Sequence, residues 1–244
     1  MQNRLVSYCI FSYQQEDYIK QTILGALNQT YSPLEIIISD DCSSDATFSV
    51  IKEIVREYKG PHKIILNRNE KNLGIGAHFS KVAYDIANGD YIITIGGDDV
   101  SKSNHVFDAV QYLEKHPDSA MVDFNATFID QDGNLLKENI LGFEKKSFTL
   151  DDFIKNKKIS WFAPGRIIRK ETIVTFPQLA SSCPTEDTIV AAFFSYLSTM
   201  VTDMLILKLT LGVLSGLGSY LFMSSILKID ELKEVKILLA KIHR

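Results

Sequence analysis

Short apolar runs alternating with helix-spaced stretches constrain this chain more than any other feature. Leu5 to Ser12 is nearly all apolar and reads as a strand buried on both faces. Leu34 to Ser39 is a second buried strand, Lys63 to Asn67 a third and Tyr91 to Ile95 a fourth. Between the first two, Tyr18, Ile19, Ile23, Leu24 and Leu27 fall at helical spacing within Glu16 to Asn28. A second helix starts at Ser43-Ser44-Asp45, where a short polar side chain caps it, and runs through Phe48, Ile51, Ile54, Val55 and Tyr58 to Gly60-Pro61. After a polar loop from Asn69 to Gly76, Phe79 to Ala87 forms a third helix, stopped by Asn88-Gly89. This rhythm predicts a parallel sheet with helices on both faces. Such sheets bind ligands beyond the carboxyl ends of their strands. Those ends carry Ser12-Tyr13, Asp40-Asp41 and Asp98-Asp99, so polar groups from distant sequence converge on one crevice.

Asp98 and Asp99 follow the run Tyr91-Ile92-Ile93-Thr94-Ile95-Gly96-Gly97. Two adjacent carboxylates at a strand end make poor core and good ligands for Mg²⁺ or Mn²⁺. Those cations take hard oxygen donors and keep positions open for a diphosphate. The glycines allow close approach to the backbone.

Past Val100 the pattern loosens. Val106 to His116 reads as a helix, Met121 to Ile129 as a strand, and Gln131 to Asn134 as a turn. Short helices are expected at Leu150 to Asn156 and Lys170 to Phe176, with Ser160 to Arg169 irregular and then extended. Ser181 to Glu186 is a loop leading to a second acidic pair, Glu186-Asp187. Met204 to Met223 is mostly apolar, but Lys208 and its glycines favour a buried hairpin or interfacial segment over a membrane span. Leu232, Val235, Leu238, Leu239 and Ile242 form an amphipathic helix whose lysine-rich face is either solvated or docked on an anionic membrane surface.

With 244 residues, 45% of them hydrophobic, the chain has length for a sizeable core. A formal charge of −4 argues against nucleic acid as a partner, since such binders carry a basic footprint. Three cysteines without a Cys-x-x-Cys spacing argue against disulfides and zinc, and fit a reducing cytosol. No secretory signal is read at the N-terminus.

These residues resemble the family 2 glycosyltransferases of GT-A fold over about residues 4 to 190. Ile10-Phe11-Ser12-Tyr13-Gln14-Gln15-Glu16-Asp17-Tyr18-Ile19 is similar to the family's Pro-Thr-Tyr-Asn-x-Glu-x-Tyr-Ile. Gln29-Thr30-Tyr31, followed by Glu35-Ile36-Ile37-Ile38-Ser39-Asp40-Asp41-Cys42-Ser43-Ser44-Asp45, matches its second motif almost position for position. Asn72-Leu73-Gly74-Ile75-Gly76 with Ala87-Asn88-Gly89-Asp90-Tyr91-Ile92, and then Asp98-Asp99, are the third and fourth.

The resemblance implies an α/β GT-A (Rossmann-like) fold: a mixed, mainly parallel sheet with flanking helices and a helical C-terminal extension. Residues 1–100 would be the nucleotide-sugar-binding half, 101–200 the acceptor-binding half and 201–244 the helical segment. It implies that Tyr13 lies against the nucleobase, with Phe11 and Ser12 lining its pocket. Asp41 would accept from the base edge, most simply a uracil or thymine imide. Glu16 and Gly76 belong to the donor-binding motifs. Asp98 would reach the ribose or the cation, Asp99 would hold the cation, and Asp187 falls where the family keeps its catalytic base. Asp40, His78 and His105 read as structural.

The implied reaction is a metal-assisted, inverting transfer of one sugar from a UDP- or dTDP-type donor. The acceptor would be a saccharide or a lipid-linked saccharide in cell-envelope polysaccharide synthesis, with the enzyme in the cytoplasm at the inner membrane face. No Gln-x-x-Arg-Trp segment, the mark of processive synthases, is present. Gly96 stands where a fuller Asp-x-Asp motif has its leading acid. The other reading is a catalytically impaired GT-A-like domain that binds nucleotide without turnover. A nicotinamide oxidoreductase is set aside, because Ser12-Tyr13-Gln14-Gln15 stands where Gly-x-Gly-x-x-Gly belongs. Oligomeric state is left open.

Overall fold

A computed structural model of the chain describes residues 4–130, 133–137, 164–175 and 177–183. The expected helix at Leu150 to Asn156, the Glu186-Asp187 pair and everything expected of 201–244 lie outside the described residues.

β1 (Val6–Ser12), α1 (Ile19–Leu27), β2 (Leu34–Asp40), α2 (Thr47–Glu57) and β3 (Lys63–Arg68) alternate as expected. α3 (Ile75–Ser80) runs on as a π-helical stretch (Lys81–Ile86) into β4 (Tyr91–Gly96), followed by α4 (His105–Lys115). β5 (Met121–Val122), a β6–β7 hairpin (Phe128–Ile129 with Leu135–Lys137), β8 (Arg166–Arg169) and α5 (Lys170–Ile173) complete the described elements. The main sheet has the order β3-β2-β1-β4-β8-β5. β1 pairs in parallel with β2 and β4, and β2 with β3. β8 runs antiparallel to both β4 and β5, so the sheet is mixed and mainly parallel.

The apolar runs explain this directly. Every residue of β1 and β2 is buried, which a strand achieves only when both sheet faces are covered. Successive side chains point to opposite faces. Tyr8 and Ile10 therefore join Ile36 and Ile38 under α1, α2 and α4, packing on Ile19, Ile23, Ile51, Val106 and Leu113. Cys9, Phe11 and Ile37 meet Phe79, Val82, Ala83 and Ile173 of α3, the π stretch and α5. Each fully buried Ile contributes about 1.5–3 kcal/mol of transfer free energy. The amino ends of the strands are tied by the buried Glu35 carboxylate. It accepts from Ser7 Oγ (2.7 Å) and Asn88 N (2.7 Å) and pairs with Lys63 (3.4 Å).

The chain steps from β1 outward to β2 and β3, then crosses the opposite face and returns beside β1 as β4. The sheet thus has its topological switch between β1 and β4, and α/β sheets hold their ligands beyond the strand ends at such a switch.

Three elements differ from expectation. α3 begins at Ile75, four residues before Phe79, and passes into a π-helix. The expected strand from Met121 to Ile129 is two short strands in two different sheets, because Asp123 turns to pair with the buried Arg166 (2.6 and 2.9 Å). α5 ends at Ile173 and gives way to turns. None of the three cysteines is in a disulfide.

Candidate active site

Beyond the carboxyl ends of β1, β2 and β4 lies a cleft of about 390 Å³. Phe11, Ser12 and Tyr13 line it from β1, Asp41 from β2, and Thr94, Ile95, Gly96, Asp98 and Asp99 from β4. Asn72, Gly74, Ile75 and His78 close it from the α3 side, with Gln15 and Pro164 at its edge.

The two acids after β2 have different tasks. Asp40 is fully buried, accepts from Ser43 N (3.0 Å) and Ser43 Oγ, and pairs with Arg68 (3.3 Å). It shapes the turn. Asp41 is 3% exposed and organises the cleft wall. Its Oδ1 accepts from Asn69 Nδ2 (2.7 Å) and Leu73 N (2.9 Å), and its Oδ2 from Gly74 N (3.0 Å). Gly74 has φ 77°, and its position allows α3 to start where Asp41 holds the backbone. A carboxylate oxygen accepts about two hydrogen bonds, so Oδ2 keeps one acceptor position toward a ligand.

At the end of β4 the Asp98 and Asp99 carboxylates converge on one side of Gly96. A Cβ at residue 96 would lie 2.8 Å from Asp98 Oδ1 and 3.4 Å from Asp99 Oδ2. Asp98 therefore occupies the direction a side chain at 96 would take. Burial, and next the charge of Asp98, push the Asp99 carboxyl up to about 6. Two hard oxygen donors whose charges oppose each other beside an open cleft suit a divalent cation that shares its coordination with phosphate oxygens. Among the described residues there is no cluster of three metal-binding side chains. The fit is to a cation held by an acid pair plus substrate, rather than by a protein cage.

Tyr13 is 45% exposed at the mouth of the cleft, on a loop pinned by Gln14 N to Ser43 Oγ (3.0 Å) and Gln15 N to Thr47 Oγ1 (2.8 Å). The Gln15 side chain lies against Gly97, so a Cβ there would have to push its flexible amide aside, and the β1 and β4 loops are in contact. Glu16 stands outside the cleft lining; its carboxylate accepts from Ala46 N (2.6 Å) at the start of α2. Gly76 is also outside the lining. Its missing Cβ would lie 2.6 Å from Cys183 Cβ and 2.7 Å from Ala180 O, so it seats the 179–183 segment against α3. Ser80 fastens the same segment by accepting from Leu179 N (2.6 Å). Asp187 lies outside the described residues.

His78 lines the cleft although a lone histidine in a helix gave no sequence signal of it. His105 is a strut: Tyr8 donates to Ser101 Oγ (2.6 Å), Ser101 meets His105 Nδ1 (2.9 Å), and Nε2 donates to Gly165 O (2.8 Å). It links the loop after Asp99 to the residue next to Pro164. Burial pushes both imidazoles below their ordinary range, so both are neutral at pH 7.

Among the described residues, no helix is long and apolar enough to cross a membrane. The family model for glycosyl transferase family 2 matches residues 7–174. TuaG of Bacillus subtilis (strain 168), named for teichuronic acid biosynthesis as a glycosyltransferase, is 31% identical over 62% of this chain and 58% of its own. The S. aureus TarS 1-349 structure in complex with UDP-GlcNAc superposes with TM-score 0.59 at 18% identity, over 79% of this chain and 53% of that one. The mannosyltransferase PcManGT from Pyrobaculum calidifontis, in complex with GDP-Man and Mn²⁺, does so with TM-score 0.61 at 13% identity, over 81% and 53%. These likenesses show the fold, which is GT-A. The chain spans 33% of the length of one curated relative that it matches and 58% of TuaG. With the family match covering the strands, the switch-point cleft and its acid pair, the chain belongs to glycosyl transferase family 2.

Proposed function

We propose that this chain transfers a single sugar, with inversion, from a UDP- or dTDP-type donor to a saccharide or lipid-linked acceptor in cell-envelope polysaccharide synthesis. The observation that carries this reading is the joining of an aromatic ring, a base-reading carboxylate and an acid pair in one cleft at the sheet's switch point. Residues 1–100 supply the donor side of that cleft and the later half the acceptor side. The name of TuaG supports an envelope polysaccharide, and the bound UDP-GlcNAc of TarS a uridine donor. Three cysteines outside any disulfide fit a cytoplasmic location, and a lipid-linked acceptor would bring the protein to the inner membrane face.

Tyr13 stacks on the base while Phe11 and Ser12 bound its pocket. Asp41 takes the imide N–H on the free position of Oδ2. Asp98 reaches the ribose and, with Asp99, would hold Mn²⁺ or Mg²⁺. Such a cation supplies charge neutralisation to the departing nucleoside diphosphate. Asp187 accepts the acceptor's hydroxyl proton, a contribution of about 10²–10⁴-fold. The transition state shares the oxocarbenium character of glycoside hydrolysis, with a sugar hydroxyl in place of water.

A thermal-shift screen of nucleoside diphosphates with and without Mn²⁺ tests the donor class. UDP or dTDP should raise the melting temperature only with the cation. If no nucleotide does so, the reading fails. Binding without any release of sugar from a matching donor would favour an impaired, nucleotide-binding protein.

A further inference from the structure

His78 is 2% exposed, lines the cleft, and packs edge-on against Phe11 with ring centroids 5.1 Å apart. Its Nε2 lies 2.6 Å from Ser39 Oγ. Among the described residues, Nδ1 has no hydrogen-bond partner. Both ends of the polar network beneath the cleft have a fixed sense, and together they assign the proton.

Lys81 can only donate, and it reaches Asn69 Oδ1 at 2.7 Å. Asp41 as a carboxylate can only accept, and it receives Asn69 Nδ2. The Asn69 amide is therefore fixed in orientation. Asn67 Nδ2 must then be the donor to Asn69 Oδ1 (3.1 Å), and it also donates to Ser39 Oγ (2.8 Å). Ser39 is fully buried, and among the described residues its hydroxyl has no acceptor other than His78 Nε2. A buried hydroxyl left without an acceptor is costly, so Ser39 donates to Nε2. The neutral ring must then carry its hydrogen on Nδ1.

We propose that His78 reads the nucleobase, donating Nδ1–H to a base carbonyl adjacent to the N–H that Asp41 accepts. This rests on the nucleotide-sugar reading of the cleft and goes beyond it by assigning a second base contact. Uracil and thymine present this edge at N3–H and the C4 carbonyl, as guanine does at N1–H and the C6 carbonyl. In the same pose cytosine turns a lone pair toward the Asp41 carboxylate and an amino group toward the His78 N–H. Two buried polar groups would then face like partners, which binding sites reject strongly.

The test is binding of UDP and CDP with Mn²⁺ to the wild type and to His78→Ala, together with ¹⁵N NMR of the wild-type His78 ring during addition of UDP with Mg²⁺. Expected are the Nδ1–H tautomer, a shift of the Nδ1 resonance on UDP binding, and about tenfold weaker UDP binding in His78→Ala. A smaller UDP-over-CDP preference is also expected in the variant, which a purely structural histidine would leave unchanged. If His78→Ala fails to fold, the wild-type NMR measurement decides alone. A wild type that binds UDP while the His78 nitrogens stay unperturbed, or a variant with undiminished preference, overturns the inference and leaves the donor reading intact. A wild type that binds no nucleoside diphosphate overturns both.

Discussion

Cys42 follows Asp41 with φ 64°, left-handed backbone that costs a residue with a Cβ about 1–2 kcal/mol. Its sulfur gains only a long contact to Glu70 O (3.5 Å). Cys42→Gly should therefore raise the unfolding free energy by about 1 kcal/mol in urea titration; a loss of stability would mean that the thiol holds the turn. Asp99 carries a prediction of opposite kind. Its carboxyl is pushed up to about 6, first by burial and then by Asp98. In the metal-free protein its charge opposes folding above that pH. That opposition is relieved as the pH falls from 6 toward the unfolded value near 3.8. For the cation the sign reverses, because the proton competes for the same oxygens. Mn²⁺ affinity in the presence of UDP should fall roughly tenfold per pH unit below 6 and level off above 7. In Asp99→Ala the Mn²⁺-dependent part of UDP binding should vanish at all pH; equal titration heats with and without Asp99 would remove it from the cation site.

At the scale of elements, α3 and the 179–183 segment form one unit with the cleft wall. Gly76→Ala would drive a methyl into Cys183 and the Ala180 carbonyl, and a forced separation of that kind costs about 1–3 kcal/mol. The sugar-transfer rate should drop at least tenfold while UDP affinity changes little, measured as kcat against donor KM. A loss confined to KM would place Gly76 in the donor site instead. The same elements show what sequence reading could and could not reach. β1, β2 and β4 were legible because a strand covered on both faces is a nearly continuous apolar run. Asp41, Asp98 and Asp99 were legible because acids at strand ends belong to the crevice of such a sheet. The start of α3 was not, since it is set by Asp41 reaching 32 and 33 residues along the chain to the Leu73 and Gly74 amides. Nor was the break after Val122, which follows from Asp123 pairing with Arg166 at a separation of 43 residues. The seat that Gly76 provides and the capping by Glu16 likewise depend on partners that no local pattern names.

For the whole molecule, the switch between β1 and β4 gathers the site, and two neutral histidines sit beside it. Their folded values lie below the ordinary imidazole range, burial being the first cause. As the pH falls through about 6.5 the unfolded chain takes up protons that the folded one refuses. The stability they support is complete above pH 7 and declines on acidification, by up to about 1.4 kcal/mol per pH unit for each ring. Between pH 7 and 6, urea midpoints of the wild type should fall, and those of His105→Gln should fall less; parallel curves would mean that His105 titrates normally. The central claim is that one cleft holds the base and the cation together. A crystal of this chain grown with UDP and Mn²⁺ tests it most directly, through the anomalous signal of the metal. A peak bonded to Asp98 or Asp99 and to the diphosphate is predicted, with the uracil ring against Tyr13 and its imide on Asp41. A manganese peak elsewhere, with the base away from Tyr13 and Asp41, would contradict it.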